Sequence, residues 1–77
     1  MKVEILTPEA TLFEGEATYV FLPGADGSLG ILNNHAPLIT TLKEGQVRIT
    51  KDGSEESFDV KGGTVEVLNN RVIILAE

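Results

Sequence analysis

Apolar positions in this chain recur at every second residue, the period of a strand with one buried face. In "KVEIL", Val3 and Ile5 share one face while Lys2 and Glu4 share the other. "QVRITK" places Val47 and Ile49 inward and Gln46, Arg48 and Thr50 outward. "SFDV" offers Phe58 and Val60, and "TVEVL" offers Val65 and Val67 around an exposed Glu66. Between these runs stand turn signals: Thr7-Pro8, Pro23-Gly24, Asp52-Gly53, Gly62-Gly63 and Asn69-Asn70. Asp-Gly and Asn-Asn suit tight hairpins, because these residues tolerate positive φ at low steric cost. "PEATLFEGE" begins with a helix-start pattern but meets Gly15 and a β-branched run, which predicts a turn or short strand. Short strands and turns at regular spacing indicate an all-β antiparallel sandwich or barrel.

Two segments depart from simple alternation. "TYVFLP" sets Tyr19 and Phe21 opposite Val20 and Leu22, and "RVIILA" sets Val72 and Ile74 opposite Ile73 and Leu75. A sandwich strand ordinarily meets the opposing sheet on one face and water on the other. A doubly apolar strand therefore needs cover on its second face, either from curvature and loops of its own domain or from a docked protein.

Length and composition narrow the options. Seventy-seven residues make one small domain, 1–77, with no linker, low-complexity segment or repeat. A domain of this size buries only about 60% of its unfolded surface, so its core is thin and a stabilising partner is expected. There is no cysteine and only one histidine, which excludes disulfides, thiolate metal sites and multi-histidine metal sites within the chain. The net charge is −6, and the six basic residues are dispersed, which argues against nucleic acid and anionic lipid as partners. "MKVEILTPEA" has no signal-peptide core, and no apolar run approaches membrane-spanning length, so direct membrane insertion is not expected.

Candidate chemistry is sparse. The single histidine, His35, lies in "LGILNNHAPLIT" beside Asn33, Asn34, Ala36 and Pro37. A catalytic histidine needs a nucleophile within hydrogen-bond reach and a group that orients the ring. Ser28, Thr40 and Thr41 are near in sequence, but no nucleophile elbow or oxyanion-hole motif surrounds them. Pro37 drives Ala36 toward an extended backbone, and the asparagines suit a turn, so the segment reads as a shaped loop between short strands. Gly24, Gly27 and Gly30 in "PGADGSLG" precede a strand and lack a lysine, unlike a phosphate-cradling loop. Gly30 itself suits a close approach or a bulge. "ADGS" and "KDGS" lack calcium-loop spacing, and Glu55-Glu56 beside Asp52 reads as a solvated hairpin. No catalytic residue, metal or cofactor is expected.

In order and spacing, "LPGADGSLGILNNHAPLITTLKEGQVRI" followed by "GGTVEVLNNRVIILAE" resembles the N-terminal β-sandwich domain of the epsilon subunit of F-type ATP synthases. The likeness covers essentially the whole chain. It implies a ten-stranded antiparallel sandwich of two five-stranded sheets, in a non-catalytic subunit of the central stalk. Such a subunit joins gamma to the c-subunit ring, beneath the alpha/beta catalytic head, and turns with them as protons or sodium ions flow. By matching positions, Asn33, Asn34, His35, Ala36 and Pro37 would meet gamma, and Asp26, Gly27 and Ser28 would meet the ring. The implied location is a peripheral complex on the cytoplasmic side of the bacterial inner membrane.

Three features depart from the family pattern. The sequence ends at Glu77, ahead of the helical hairpin common in the family, as either a naturally short member or a truncated one would, so helix-mediated inhibition and ATP sensing are not carried over in either case. Ser28 stands where some relatives have Glu, and Asn33-Asn34 where some have Pro-Gly. Two other function classes compete with the rotor reading. A free-standing module for peptide or carbohydrate would need binding faces, yet the chain has no Trp, one Tyr and three Phe. A small hydrolase would need His35 paired with a nucleophile.

Overall fold

The computed structural model describes all 77 residues. Nine strands follow in order: β1 (Lys2–Leu6), β2 (Thr11–Glu16), β3 (Tyr19–Leu22), β4 (Leu29–Leu32), β5 (Leu38–Leu42), β6 (Gly45–Lys51), β7 (Ser54–Val60), β8 (Gly63–Leu68) and β9 (Arg71–Ala76). They form a five-stranded sheet, β2-β1-β9-β8-β5, over a four-stranded sheet, β4-β3-β6-β7. The architecture is the expected all-β sandwich, with nine strands in place of ten. Proline has no N–H to give a ladder, and after Pro23 a turn closes when the Gly27 N–H donates to the Gly24 carbonyl at 3.1 Å. This segment therefore contributes one bridge, Gly24 to Leu42, which pins the two sheets together at a corner. One pair also departs from antiparallel pairing: β1 and β9 run parallel, from Lys2↔Arg71 to Leu6↔Leu75.

The two-residue hairpins follow their sequence. Asp52 and Gly53 have φ of 49° and 80°, and Asn69 and Asn70 have φ of 51° and 59°, the double positive φ of a type I′ turn. "PEATLFEGE" resolves into a turn and β2. The Thr7 N–H donates to the Ala10 carbonyl at 2.8 Å, and the Ala10 N–H donates to Thr7 Oγ1 at 3.0 Å.

The predicted inward faces are inward. Val3, Ile5, Val47, Ile49, Val65, Val67, Val72 and Ile74 are all buried. Burying a side chain of this kind contributes about 1.5–3 kcal/mol relative to leaving it exposed. Phe58 is half-buried and meets Phe13 of β2 across the sandwich, with ring centroids 5.8 Å apart and a 59° tilt. Gly63, at φ +131°, starts β8 where a Cβ would lie 2.1 Å from the Leu75 carbonyl oxygen, so only glycine fits between β8 and β9.

Two substitutions of one residue type test which face is core. Ile74, with no exposure, loses about 2–5 kcal/mol on replacement by alanine. Ile39, 74% exposed, stays within about 0.5 kcal/mol. Urea unfolding of Ile74→Ala and Ile39→Ala measures both, and equal losses would show that Ile39 is covered in solution.

Candidate functional site

The two loops singled out in the sequence lie at opposite ends of one hairpin. Strands β3 and β4 pair without interruption, from Tyr19↔Leu32 to Leu22↔Leu29. The Pro23–Ser28 connection leaves one end of this hairpin, and Asn33–Pro37 leaves the other. Four residues of strand span about 13 Å. The structure thus does not bring Asp26, Gly27 and Ser28 together with His35; it holds the two groups apart.

Asp26, Gly27 and Ser28 are all exposed, at the tip of a turn with Gly27 at φ +132°. The turn sits on the edge of β5, where the Ala25 N–H donates to the Thr41 carbonyl at 2.9 Å and the Lys43 N–H to the Pro23 carbonyl at 2.9 Å.

The other loop is tied down from three sides. The Met1 ammonium donates to Asn33 Oδ1 at 2.7 Å and to the Ala17 carbonyl at 2.9 Å. The Asn34 N–H donates to Asn70 Oδ1 at 2.7 Å, linking the loop to the β8–β9 hairpin. Asn34 has φ +62°, which asparagine tolerates. The His35 N–H donates to the Leu32 carbonyl at 3.2 Å. The imidazole is half-buried, and its Nδ1 donates to the neighbouring Ala36 carbonyl at 2.7 Å. Its hydrogen bond is to backbone rather than to a hydroxyl, so the geometry is that of a shaped loop and not of a nucleophile–base pair. Asn33, Asn34, Ala36 and Pro37 present themselves to solvent.

Pro37 leads onto an apolar surface that continues across the outer face of the five-stranded sheet. The register aligns Leu6, Leu75, Thr64 and Thr41 in one cross-strand row, and Glu4, Ile73, Glu66 and Ile39 in the next. Ile39 is 74% exposed, Leu75 53% and Leu68 47%, while Ile73 is half-buried. A shallow depression of about 350 Å³ lies between Pro37, Ile39 and Leu68. The carboxylate of Glu4 is taken by Arg71 at 3.1 Å, and Glu66 stands between Ile73 and Ile39. The doubly apolar β9 therefore leaves its second face open.

The second doubly apolar strand, β3, behaves differently. Tyr19 lies over Gly30, where any Cβ would be 2.5 Å from its hydroxyl, so Gly30 admits an aromatic side chain rather than a bulge. Phe21 lies under Arg48, whose guanidinium carbon is 4.4 Å from the ring centroid. Tyr19 and Phe21 are thereby half-buried, while Leu32, paired with Tyr19 on the same face, stays 62% exposed.

Sequence reasoning did not single out Ile39 or Leu68. A usable signal existed: residues 29–42 contain no Asp, Glu, Lys or Arg. The structure makes both edge strands β4 and β5 from that run, on the side joined by the Gly24–Leu42 bridge. The opposite side, β2 and β7, carries Glu14, Glu16, Glu55, Glu56 and Asp59.

Comparison with known proteins agrees with this fold. Residues 1–77 match the family described as ATP synthase, Delta/Epsilon chain, beta-sandwich domain. The ATP synthase epsilon chain of Dichelobacter nodosus is 52% identical over 77 residues, spanning 99% of this chain and 54% of that protein. That of Desulforamulus reducens is 46% identical over 76 residues, spanning 99% and 58%. That of Chlorobium limicola is 47% identical over 77 residues, spanning 99% and 88%. The chain thus spans little more than half the length of the first two. Among solved structures, a chain of the Euglena gracilis mitochondrial ATP synthase OSCP/F1/c-ring assembly superposes with a TM-score of 0.89 at 17% identity, over 96% of this chain and 48% of that one. A chain of the Tetrahymena thermophila mitochondrial ATP synthase central stalk and c-ring gives 0.79 at 23% identity, over 97% and 61%. At those identities the superpositions speak for the fold alone. The family match over the full 77 residues, with relatives at about half identity, shows that this chain belongs to the delta/epsilon-chain β-sandwich family of ATP synthases.

Proposed function

We propose that this domain is a non-catalytic rotor part of an F-type ATP synthase. It joins the gamma subunit to the c-subunit ring, so that rotation driven by proton or sodium flow reaches the alpha/beta catalytic head. The observation that carries this reading is the open apolar face around Ile39, Leu68, Ile73 and Leu75, contiguous with the fixed loop Asn33–Pro37. In this reading gamma covers that surface, and the turn at Asp26, Gly27 and Ser28 meets the ring at the far end of the β3–β4 hairpin. The domain then lies at a membrane-associated complex, on the cytoplasmic side of the bacterial inner membrane.

Mechanically, the two contact loops, Asp26–Ser28 and Asn33–Pro37, sit at opposite ends of an uninterrupted hydrogen-bonded hairpin, which makes a stiff spacer. Nothing between them has to move for torque to pass. A stable interface takes about 800 Å² per partner, under a fifth of this domain's 4527 Å² surface, so two such contacts fit on it.

Purified gamma subunit should bind this domain with micromolar or tighter affinity in calorimetry, and wild-type protein that fails to bind would end the assignment. Ile39→Lys should weaken binding at least tenfold with the urea midpoint unchanged, since it places a charge in the centre of the contact and touches no core residue.

The chain's lack of cysteine allows a second check in the assembled complex. A photoreactive crosslinker on Ser28→Cys should label a c subunit, and one on His35→Cys should label gamma. The reverse pattern would invert the orientation.

A further inference from the structure

The outer face of the four-stranded sheet carries a positively charged group that the domain itself leaves unpaired. In the register, Arg48 of β6 lies between Phe21 of β3 and Ser57 of β7. Its guanidinium is stacked on Phe21, and its Nε is enclosed with no acceptor. The ion pairs of the structure are those of the Met1 ammonium with Glu16 and of Arg71 with Glu4; Arg48 has none. This is not for want of nearby acids. Glu55 and Asp59 flank Ser57 on the same face, at diagonal positions about 7–8 Å away in backbone terms, within an arginine's reach. Asp59 instead accepts from Gln46 Nε2 at 3.2 Å, and Arg48 turns away from both toward the ring. Only Nε is enclosed, so the two terminal nitrogens keep contact with solvent.

We propose that Arg48, held flat on Phe21, is an anchor for the carboxylate of an Asp or Glu side chain on a partner protein. The planar fork of terminal N–H groups matches a carboxylate in a bidentate contact, and stacking fixes its direction before binding. The neighbours choose between anions. Glu55, Asp59 and the net charge of −6 oppose a doubly charged phosphate or a polyanion more strongly than a single carboxylate. Tyr19 and Phe21 supply apolar contact beside the charge, as a protein segment needs. This surface is separate from the apolar face of the five-stranded sheet and does not depend on which protein covers that one.

The test is an NMR titration of the ¹⁵N-labelled chain, following the Arg48 Nε–H and the Phe21 ring. The probes are the blocked tripeptides Leu-Glu-Leu and Leu-Gln-Leu, with inorganic phosphate as a third. The glutamate peptide should give saturable shifts at both groups, with the glutamine peptide at least tenfold weaker and phosphate weaker than the glutamate peptide. Arg48→Lys, which keeps the charge and loses the fork, should weaken the glutamate peptide about tenfold, and Arg48→Gln should remove the preference for it. Equal binding of the two peptides, or no shift from either, would overturn the proposal; tighter phosphate would overturn the carboxylate assignment. The peptide comparison uses wild-type protein, so it stands even where a variant does not fold.

Discussion

The parallel ladder between β1 and β9 is the constraint on which the rest depends. It joins the first strand of the chain to the last, from Lys2↔Arg71 to Leu6↔Leu75, at the centre of the five-stranded sheet. Without it the sheet divides into a hairpin, β2-β1, and a separate β9-β8-β5 unit. A two-stranded hairpin is at best marginally stable alone, so the sandwich closes only when residues far apart in sequence meet. The same register aims Val3, Ile5, Val72 and Ile74 together into the core.

That alignment has a consequence at the surface. Side chains alternate along a strand, so a register that buries Val72 and Ile74 must turn Ile73 and Leu75 outward. Ile73 is half-buried there, while Leu75 stays exposed. The apolar character is repeated on the neighbouring strands at Leu6 and Ile39. Slipping β1 by one residue would turn Glu4 inward, and slipping β9 would turn Arg71 inward, which fixes the surface as firmly as the core.

Much of this was legible in the sequence because each inference was local. Alternation in "KVEIL", "QVRITK" and "TVEVL" gave the buried faces, and Asp52-Gly53 and Asn69-Asn70 gave the type I′ hairpins. What stayed out of reach depended on pairing across the chain. The parallel β1–β9 ladder, the missing tenth strand, Tyr19 on Gly30 and Arg48 on Phe21 are all decided by which residues lie side by side, and no local pattern encodes that. The two apolar strands show the difference sharply. "TYVFLP" and "RVIILA" look alike in sequence, yet on β3 a glycine and an arginine leave both Tyr19 and Phe21 half-buried, while on β9 Leu75 stays exposed. For the candidate loop, the turn character of Asn33–Pro37 was readable, but its ties to Met1 and Asn70 were not.

A thin core and an open apolar face are connected by mass action. Seventy-seven residues bury a limited surface, and this domain has neither disulfide nor helix to add to its sheets. A partner that binds only the folded form adds RT ln(1 + [L]/Kd), about 2.7 kcal/mol when its concentration is 100 times Kd. That is a substantial fraction of a small domain's total stability. The exposed Ile39 and Leu75 are thus a liability only while the surface is bare. A partner that covered this face would let the same side chains extend the core outward into it. In such a complex binding and folding would reinforce one another, through the alternation that places Ile73 and Ile74 on opposite sides of one strand.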